Sequence, residues 1–471
     1  MNIISVSAEI VPWSKTGGLG DVCGSLPKAM AAKGHQVLTI APRYKEYPDA
    51  WDTGIRYEFD GHQIGIYHCQ KEGVDHLFID HPALCRGEIY GTDKGSYPDN
   101  WFRFSLLARS AIMIALHYPF GNKEQQTSFL VHDWHAALLP AYLRMTQSLG
   151  LLRGAKTALV IHNLAHQGQF PYSLFSKLGL PSNFFSDLDM DGRLNWLKAG
   201  IMLSDSVCTV SPSYANEICG QDLGMGLDGI LRWRKKDLYG ILNGIDETIY
   251  NPETDKTIPA NFSALDLSGK KECKRAIQEE LGLEQNPQLP LFGFVSRLDA
   301  QKGVELVQEV LPWLVNQGAQ VVLLGTGASQ YENFLRQANA HPRIAGIAKF
   351  SSELAKKITA ASDFLLMPSR FEPCGLSQQH ALQYGTIPIV HATGGLRDTV
   401  RSFNPWKEEG NGWAFSPFSA SAFQHALYYA LITYRTDQNG FQKMQARAMQ
   451  EERTWDKAAE QYIQLLGGVE N

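Results

Sequence analysis

Four short runs in the second half of the chain are almost purely apolar: "LPLFGFVSRL", "QVVLLGTG", "DFLLMPS" and "TIPIVHA". A strand with one wet face alternates polar and apolar residues. A run without that alternation suits a strand covered on both faces, which is the condition of a parallel sheet. Each run is short for a helix and stops at Gly, Pro or a polar loop. The first half carries similar strands at "IISVSA", "QVLTIAP", "FLVHD", "TALVIHN" and "SVCTVSP", with helices such as "DVCGSLPKAMAAKG" and "RLNWLKAGIMLS" between them. Strand and helix in turn select an α/β fold. The expected fold class is two Rossmann-like, doubly wound parallel-sheet domains facing a cleft.

A length of 471 residues accommodates two large domains or three of middle size. The expected boundaries are an N-terminal domain over 1–243, a polar linker over 244–270 and a C-terminal domain over 271–454. An amphipathic helix over 455–471 is expected to cross back to the first domain. A net charge of -5 gives no basic footprint for nucleic acid. No apolar run reaches membrane-spanning length. The N-terminus opens on a strand-like run without a targeting segment, so a cytoplasmic protein, or one already trimmed in an organelle, is expected. Seven cysteines, an odd number without a C-x-x-C pair, fit reduced thiols better than disulfides or zinc.

The chemistry sits where strands end. In "WSKTGGLGDV", Lys15 precedes Gly17 and Gly18 at the start of a helix. Glycines let backbone N–H groups approach an anion, and a helix N-terminus adds partial positive charge. The pattern is neither a P-loop nor a dinucleotide fingerprint. A tight turn with a solvated lysine reads equally well. "FVSRLDAQKG" sets Arg297 and Lys302 around a loop after a strand, which suits a diphosphate. An ordinary charged surface loop is the alternative.

"PSRFEPCGLSQQHAL" places Glu372 on a strand-to-helix loop and the N–H groups of Gly375, Leu376 and Ser377 at a helix start near Gly375. Glu372 can meet sugar hydroxyls or a cationic carbon there, or merely complement the helix dipole. Cys374 has no local His partner and reads as packing. "HDWHAAL" and "VIHNLAHQG" contribute Asp133, His162 and Asn163. His132, His135 and His166 complete the set, but the spacing matches no metal motif. "LNGID" puts Asn243 near the last strand of the first half. "GSYPDNWFRF" offers Tyr97, Asn100 and Arg103 as a weak sugar-binding set. "TGGLRDTV" echoes the first glycine loop at Gly394-Gly395, without a defined role.

Taken in order along the chain, "SAEIVPWSKTGGLGDV", "HDWHAAL", "HNLAHQG", "LKAGI", "VSPSYANEI", "LNGID", "VSRLDAQKG", "PSRFEPCGL" and "TGGLRDTV" resemble the bacterial glycogen synthases and plant starch synthases. These are ADP-glucose-dependent enzymes of GT-B fold. The resemblance implies a retaining transfer of glucose from ADP-glucose to the non-reducing end of an α-1,4-glucan, without metal or cofactor. It implies catalytic roles for Glu372, Arg297, Lys302 and His162. Donor binding would fall to Lys15, Gly17, Gly18, Asn163, Asn243, Phe350, Cys374, Gly375, Leu376 and Ser377. Asp133 and Tyr97 would lie on the donor or acceptor side. The partners implied are ADP-glucose and glycogen, starch or a maltooligosaccharide, with no nucleic acid and no membrane span. Two positions depart from GT-B habit. His380 stands where many such enzymes carry a second Glu, and Lys349-Phe350 replaces a Gly-Tyr pair, which leaves the base preference open. A UDP-glucose transferase and a catalytically silent glucan-binding homologue are the alternatives.

Overall fold

The computed structural model describes residues 1–92, 95–122 and 125–467. They form two compact units, one holding Met1–Gly244 plus the C-terminal stretch from Trp455, the other Ile245–Thr454.

The main sheet of the first unit has nine strands. We label them β1 (Asn2–Val6), β2 (Gln36–Pro42), β3 (Trp51–Phe59), β4 (His62–Lys71), β5 (Val74–Asp80), β6 (Thr127–His132), β7 (Lys156–Ile161), β8 (Ser206–Thr209) and β9 (Leu238–Gly240). Their order is β9-β8-β7-β6-β1-β2-β5-β4-β3. All neighbours run parallel except at the β5-β4-β3 edge, which is antiparallel. That edge turns at Asp60-Gly61 and Glu72-Gly73, all four with positive φ. Two consecutive left-handed residues are what a tight hairpin with the native strand twist requires.

The second unit has six parallel strands, β10 (Leu291–Val295), β11 (Gln320–Gly325), β12 (Ile344–Ala348), β13 (Phe364–Met367), β14 (Ile387–His391) and β15 (Trp413–Phe415). Their order is β12-β11-β10-β13-β14-β15. The apolar runs of the sequence are these strands: Phe292, Val321, Leu323, Phe364, Leu366, Ile387 and Ile389 are buried. In each sheet the strand order reverses once, at β1 against β6 and at β10 against β13. Loops leaving neighbouring strands at such a point go to opposite faces and leave a crevice at the carboxyl ends.

Three sequence readings need adjustment. "RLNWLKAGIMLS" is not one helix. Arg193–Asn195 is a strand, and the helix is Trp196–Leu203. Asn195 ends the strand and caps the helix, its side chain accepting from Lys198 N–H at 2.9 Å. The helix read from Asp21 starts three residues earlier, at Gly18. Residues 244–270, read as a linker, are built into the second unit from Ile245 onward. Ile258 and Phe262 are buried, and Asp255 accepts from the Tyr384 hydroxyl at 2.5 Å. Polar composition hid this, because the buried positions, among them Ile245, Pro252, Asp255, Ile258, Phe262 and Lys270, are spread widely along the stretch.

The helix Trp455–Gly467 packs on the first unit. Its buried residues, Trp455, Ala458, Ala459, Tyr462, Leu465 and Leu466, recur at helical spacing. Lys33 binds Glu460 at 2.7 Å on the rim of that face.

Candidate active site

In the second unit the loops after β10 and β13 are locked together. Lys302 Nζ lies 2.6 Å from Glu372 Oε2, and Ser369 Oγ donates to the same oxygen at 3.0 Å. Both charged side chains are largely buried, at 17% and 9% exposure. A buried carboxylate needs such partners, because an uncompensated charge is costly. The backbones touch as well. Arg370 N–H donates to Gln301 O at 2.8 Å, and Gln301 Nε2 to Phe371 O at 3.2 Å. Gly303 closes the first loop at φ 67°, and a Cβ there would lie 1.9 Å from Pro368 O. Only glycine permits that approach.

The echo loop acquires a role here. Gly395 N–H donates to Glu372 O at 3.0 Å. A Cβ on Gly394 would lie 2.0 Å from Glu372 O, and one on Gly395 2.0 Å from Cys374 O. "TGGLRDTV" is therefore the floor under the Glu372 loop. His391, at the end of β14, adds a contact from its Nδ1 to Ser369 O at 2.8 Å.

Gly375 has φ 69°, and the helix that follows begins at Ser377, two residues later than the sequence reading placed it. Cys374 is buried, as expected for packing. Arg297 stays accessible, its side chain 59% exposed and 3.5 Å from Asp299. Phe350 lies just beyond β12 with 84% of its surface exposed. His380 stacks on Tyr250, with ring centroids 3.5 Å apart and planes 11° off parallel.

The first unit presents a second cluster at its own strand reversal. Glu9, just past β1, is 2% exposed. One oxygen accepts from Thr16 N–H at 2.6 Å and Gly17 N–H at 3.2 Å. The other accepts from the Thr16 hydroxyl at 2.7 Å and the Tyr90 hydroxyl at 2.6 Å. Gly17 turns its N–H toward Glu9, beside the helix start that the sequence reading assigned to the donor phosphates. Gly18 opens the helix, and Lys15 pairs with Asp21 at 2.6 Å, its side chain 44% exposed.

Asp133 follows β6 with φ 55°, a left-handed conformation uncommon for a non-glycine residue. Its Oδ1 accepts from His162 N–H at 2.7 Å, and Asn163 N–H lies at 3.5 Å. His132 sits between Ser5 Oγ at 3.1 Å and His162 Nε2 at 3.0 Å. Burial pushes His132 down to about 3 and His162 and His135 well below the usual histidine range. Neutral imidazoles that hydrogen-bond each other suit hydroxyl recognition. Asn243 is buried beyond β9.

Two members of the sugar-binding set are occupied by the fold. Arg103 is fully buried and donates to Ala83 O, Ile89 O and Asn100 Oδ1 at 2.7–2.8 Å. Asn100 in turn donates to Tyr90 O at 2.9 Å. Tyr97 remains half-buried, with the Arg103 guanidinium 4.8 Å from its ring centroid.

Burial raises Asp133 to about 7, against the opposing N–H donors of His162 and Asn163, with the Glu9 charge adding a little. The folded chain therefore holds this proton more tightly than the unfolded one. Its stabilising contribution is complete below about pH 4, falls as pH rises toward 7, and is flat above that. Asp133→Asn should gain stability relative to the parent over that window, by up to about 4 kcal/mol. Urea unfolding at pH 4.5 and pH 8 measures it. A difference between variant and parent that does not change with pH would refute the assignment.

Two open α/β units with charged and polar side chains at the carboxyl ends of strands match known glycosyltransferase structures of GT-B fold. The catalytic domain of Starch Synthase IV from Arabidopsis thaliana, bound to ADP and acarbose, superposes with a TM-score of 0.90 at 33% identity, covering 99% of this chain and 98% of that one. Sucrose-phosphate synthase from Thermosynechococcus elongatus shares the fold alone, at 17% identity and TM-score 0.59 over 98% of each chain. The starch synthase catalytic domain family matches residues 2–233, and glycosyl transferases group 1 matches 276–447. Starch synthase 1, chloroplastic/amyloplastic, of Arabidopsis thaliana is 43% identical over 99% of this chain and 77% of its own length. Soluble starch synthase 1 of Oryza sativa subsp. indica is 42% identical over 99% and 78%. The chain belongs to the starch synthase family of glycosyltransferases.

Sequence reasoning missed Glu9, the contact of Ser369 with Glu372, and the structural use of Gly394-Gly395. A lone acid in the apolar run "IISVSAEIV" was the available signal for the first, since a buried carboxylate implies dedicated donors.

Proposed function

We propose that the protein transfers glucose from ADP-glucose to the non-reducing end of an α-1,4-glucan with retained configuration. The observation that carries this reading is Glu372, buried at the strand reversal and fixed by Lys302 and Ser369. Glycosyl transfer builds positive charge on the anomeric carbon and negative charge on the departing diphosphate. Fixed charges that need no reorganisation stabilise such a state best. Glu372 answers the first charge. Arg297 and Lys302 answer the second, together with the backbone at Gly375, Leu376 and Ser377, and Cys374 packs beneath them. Phe350 offers an exposed ring to the base.

Lys15 contacts the donor phosphates once it leaves Asp21, with Gly18 at the helix start. His162, Asn163 and Asn243 meet sugar hydroxyls, and Asp133 and Tyr97 serve the donor or acceptor side. The leaving phosphate takes the acceptor proton on the face it departs from, so no separate base is required. The structural relative carrying ADP and acarbose, and the plant relatives, support a nucleotide donor and a glucan acceptor. Glycogen and starch chains both fit as products. The relatives with chloroplastic/amyloplastic names support a plastid stroma as the working compartment, with the cytosol as the alternative.

Label transfer from ADP-glucose and UDP-glucose to glycogen tests the reading. Transfer from ADP-glucose at least tenfold faster is expected. Equal or faster transfer from UDP-glucose would sink the donor assignment. Binding without transfer from either donor would sink the enzyme reading.

A further inference from the structure

We propose that Glu9 is a positioning residue, which holds the Lys15 loop and Tyr90, the hydrogen-bond partner of Tyr97, in one fixed register. The proposal rests on the functional reading above, in which Lys15 and Tyr97 meet substrate. Glu9 is buried, and its four donors come from two separate segments, Thr16-Gly17 and Tyr90. None of the four is a cation. A carboxylate kept buried on neutral donors needs every one of them in place.

The grip acts in two directions. Toward the helix Gly18–Ala32, it fixes Thr16 by both N–H and hydroxyl, and so fixes the backbone from which Lys15 departs. Close packing behind the loop completes the restraint. A Cβ on Gly24 would lie 2.8 Å from Val11 O, so the helix already touches the turn after β1. Toward the other segment, Glu9 holds the Tyr90 hydroxyl, and the Tyr90 ring stacks on His135 at 4.8 Å. Tyr90 O accepts Tyr97 N–H at 3.0 Å. A shift of Glu9 therefore moves both Lys15 and Tyr97.

The test compares Glu9→Ala, Glu9→Gln and Tyr90→Phe by KM for ADP-glucose, KM for a maltooligosaccharide, kcat and Tm. In Glu9→Gln the amide oxygen can still accept the two N–H groups while its nitrogen faces the two hydroxyls, which can accept. Glu9→Ala should raise the donor KM about tenfold or more and lower kcat, consistent with one or two lost hydrogen bonds to a contact loop. Glu9→Gln should restore most of that loss. Tyr90→Phe, the milder change, should raise the donor KM by a few fold with little change in Tm. It decides the matter if Glu9→Ala does not fold.

A donor KM within twofold of the parent in every folded variant, with only Tm lowered, would make Glu9 a purely structural group and overturn the proposal. ADP binding to Lys15→Met is measured alongside. Parent-like affinity there would refute the donor role of the loop, independently of how the Glu9 variants behave.

Discussion

Glu372→Gln should lower kcat by roughly 10²–10³-fold while ADP affinity stays within a few fold of the parent. The substitution keeps the shape of the side chain and removes its charge. Lys302 and Ser369 would still find an oxygen at the Glu372 position, so the loop need not collapse. What is lost is the fixed negative charge available to a cationic anomeric carbon. Because that carbon is cationic only in the transition state, the loss should fall on kcat and leave binding largely intact. Steady-state kinetics on glycogen with calorimetric ADP binding measure both quantities. Near-parent kcat would remove Glu372 from the chemistry. A parallel collapse of ADP binding would show instead that its main task is holding Lys302.

Gly394→Ala should be nearly as damaging, although the proposed mechanism assigns Gly394 no substrate contact. The added Cβ would sit 2.0 Å from Glu372 O, far inside any tolerated contact, and the residue already has φ 45°. Backbone must move, and the backbone nearest is the loop that carries Glu372. A displacement of about 1 Å in a catalytic group costs on the order of 10²-fold in rate. Overpacking costs about 1–3 kcal/mol in stability as well. The expected result is a folded protein with a slightly lower Tm and kcat reduced roughly 10²-fold. Parent-like kcat would show that the loop can yield without moving Glu372.

The sheet strands of the second unit were legible because their residues are apolar on both faces, as in "LLGTG" and "FLLMPS". The antiparallel edge of the first unit was not read. In "WDTGIRYEF" the polar residues Asp52, Arg56 and Glu58 do alternate with Ile55, Tyr57 and Phe59, but a mid-strand glycine interrupts the run. Its turn signals, Asp60-Gly61 and Glu72-Gly73, were present all the same. Arg297, Lys302 and Glu372 were legible as strand-end residues. The pairing of Lys302 with Glu372 was not, because a sequence does not say which loops meet. Asn100 and Arg103 were misread for the same reason. Polar side chains near an aromatic look like a sugar site until their partners turn out to be backbone carbonyls.

The first unit is discontinuous in sequence, since its last helix, Trp455–Gly467, arrives only after the whole second unit has been made. That bears on how the chain matures. During synthesis Ile245–Thr454 has all its own residues in hand and can close its core. The first unit must wait, though it was begun earlier. Until Trp455, Tyr462, Leu465 and Leu466 emerge, the apolar surface they cover stays open to water, Ser128 lacks its contact with Leu466 O, and Lys33 lacks Glu460. Exposed apolar surface on a nascent domain invites misassembly. The unit whose sheet is encoded first is completed only by a helix encoded after the other unit.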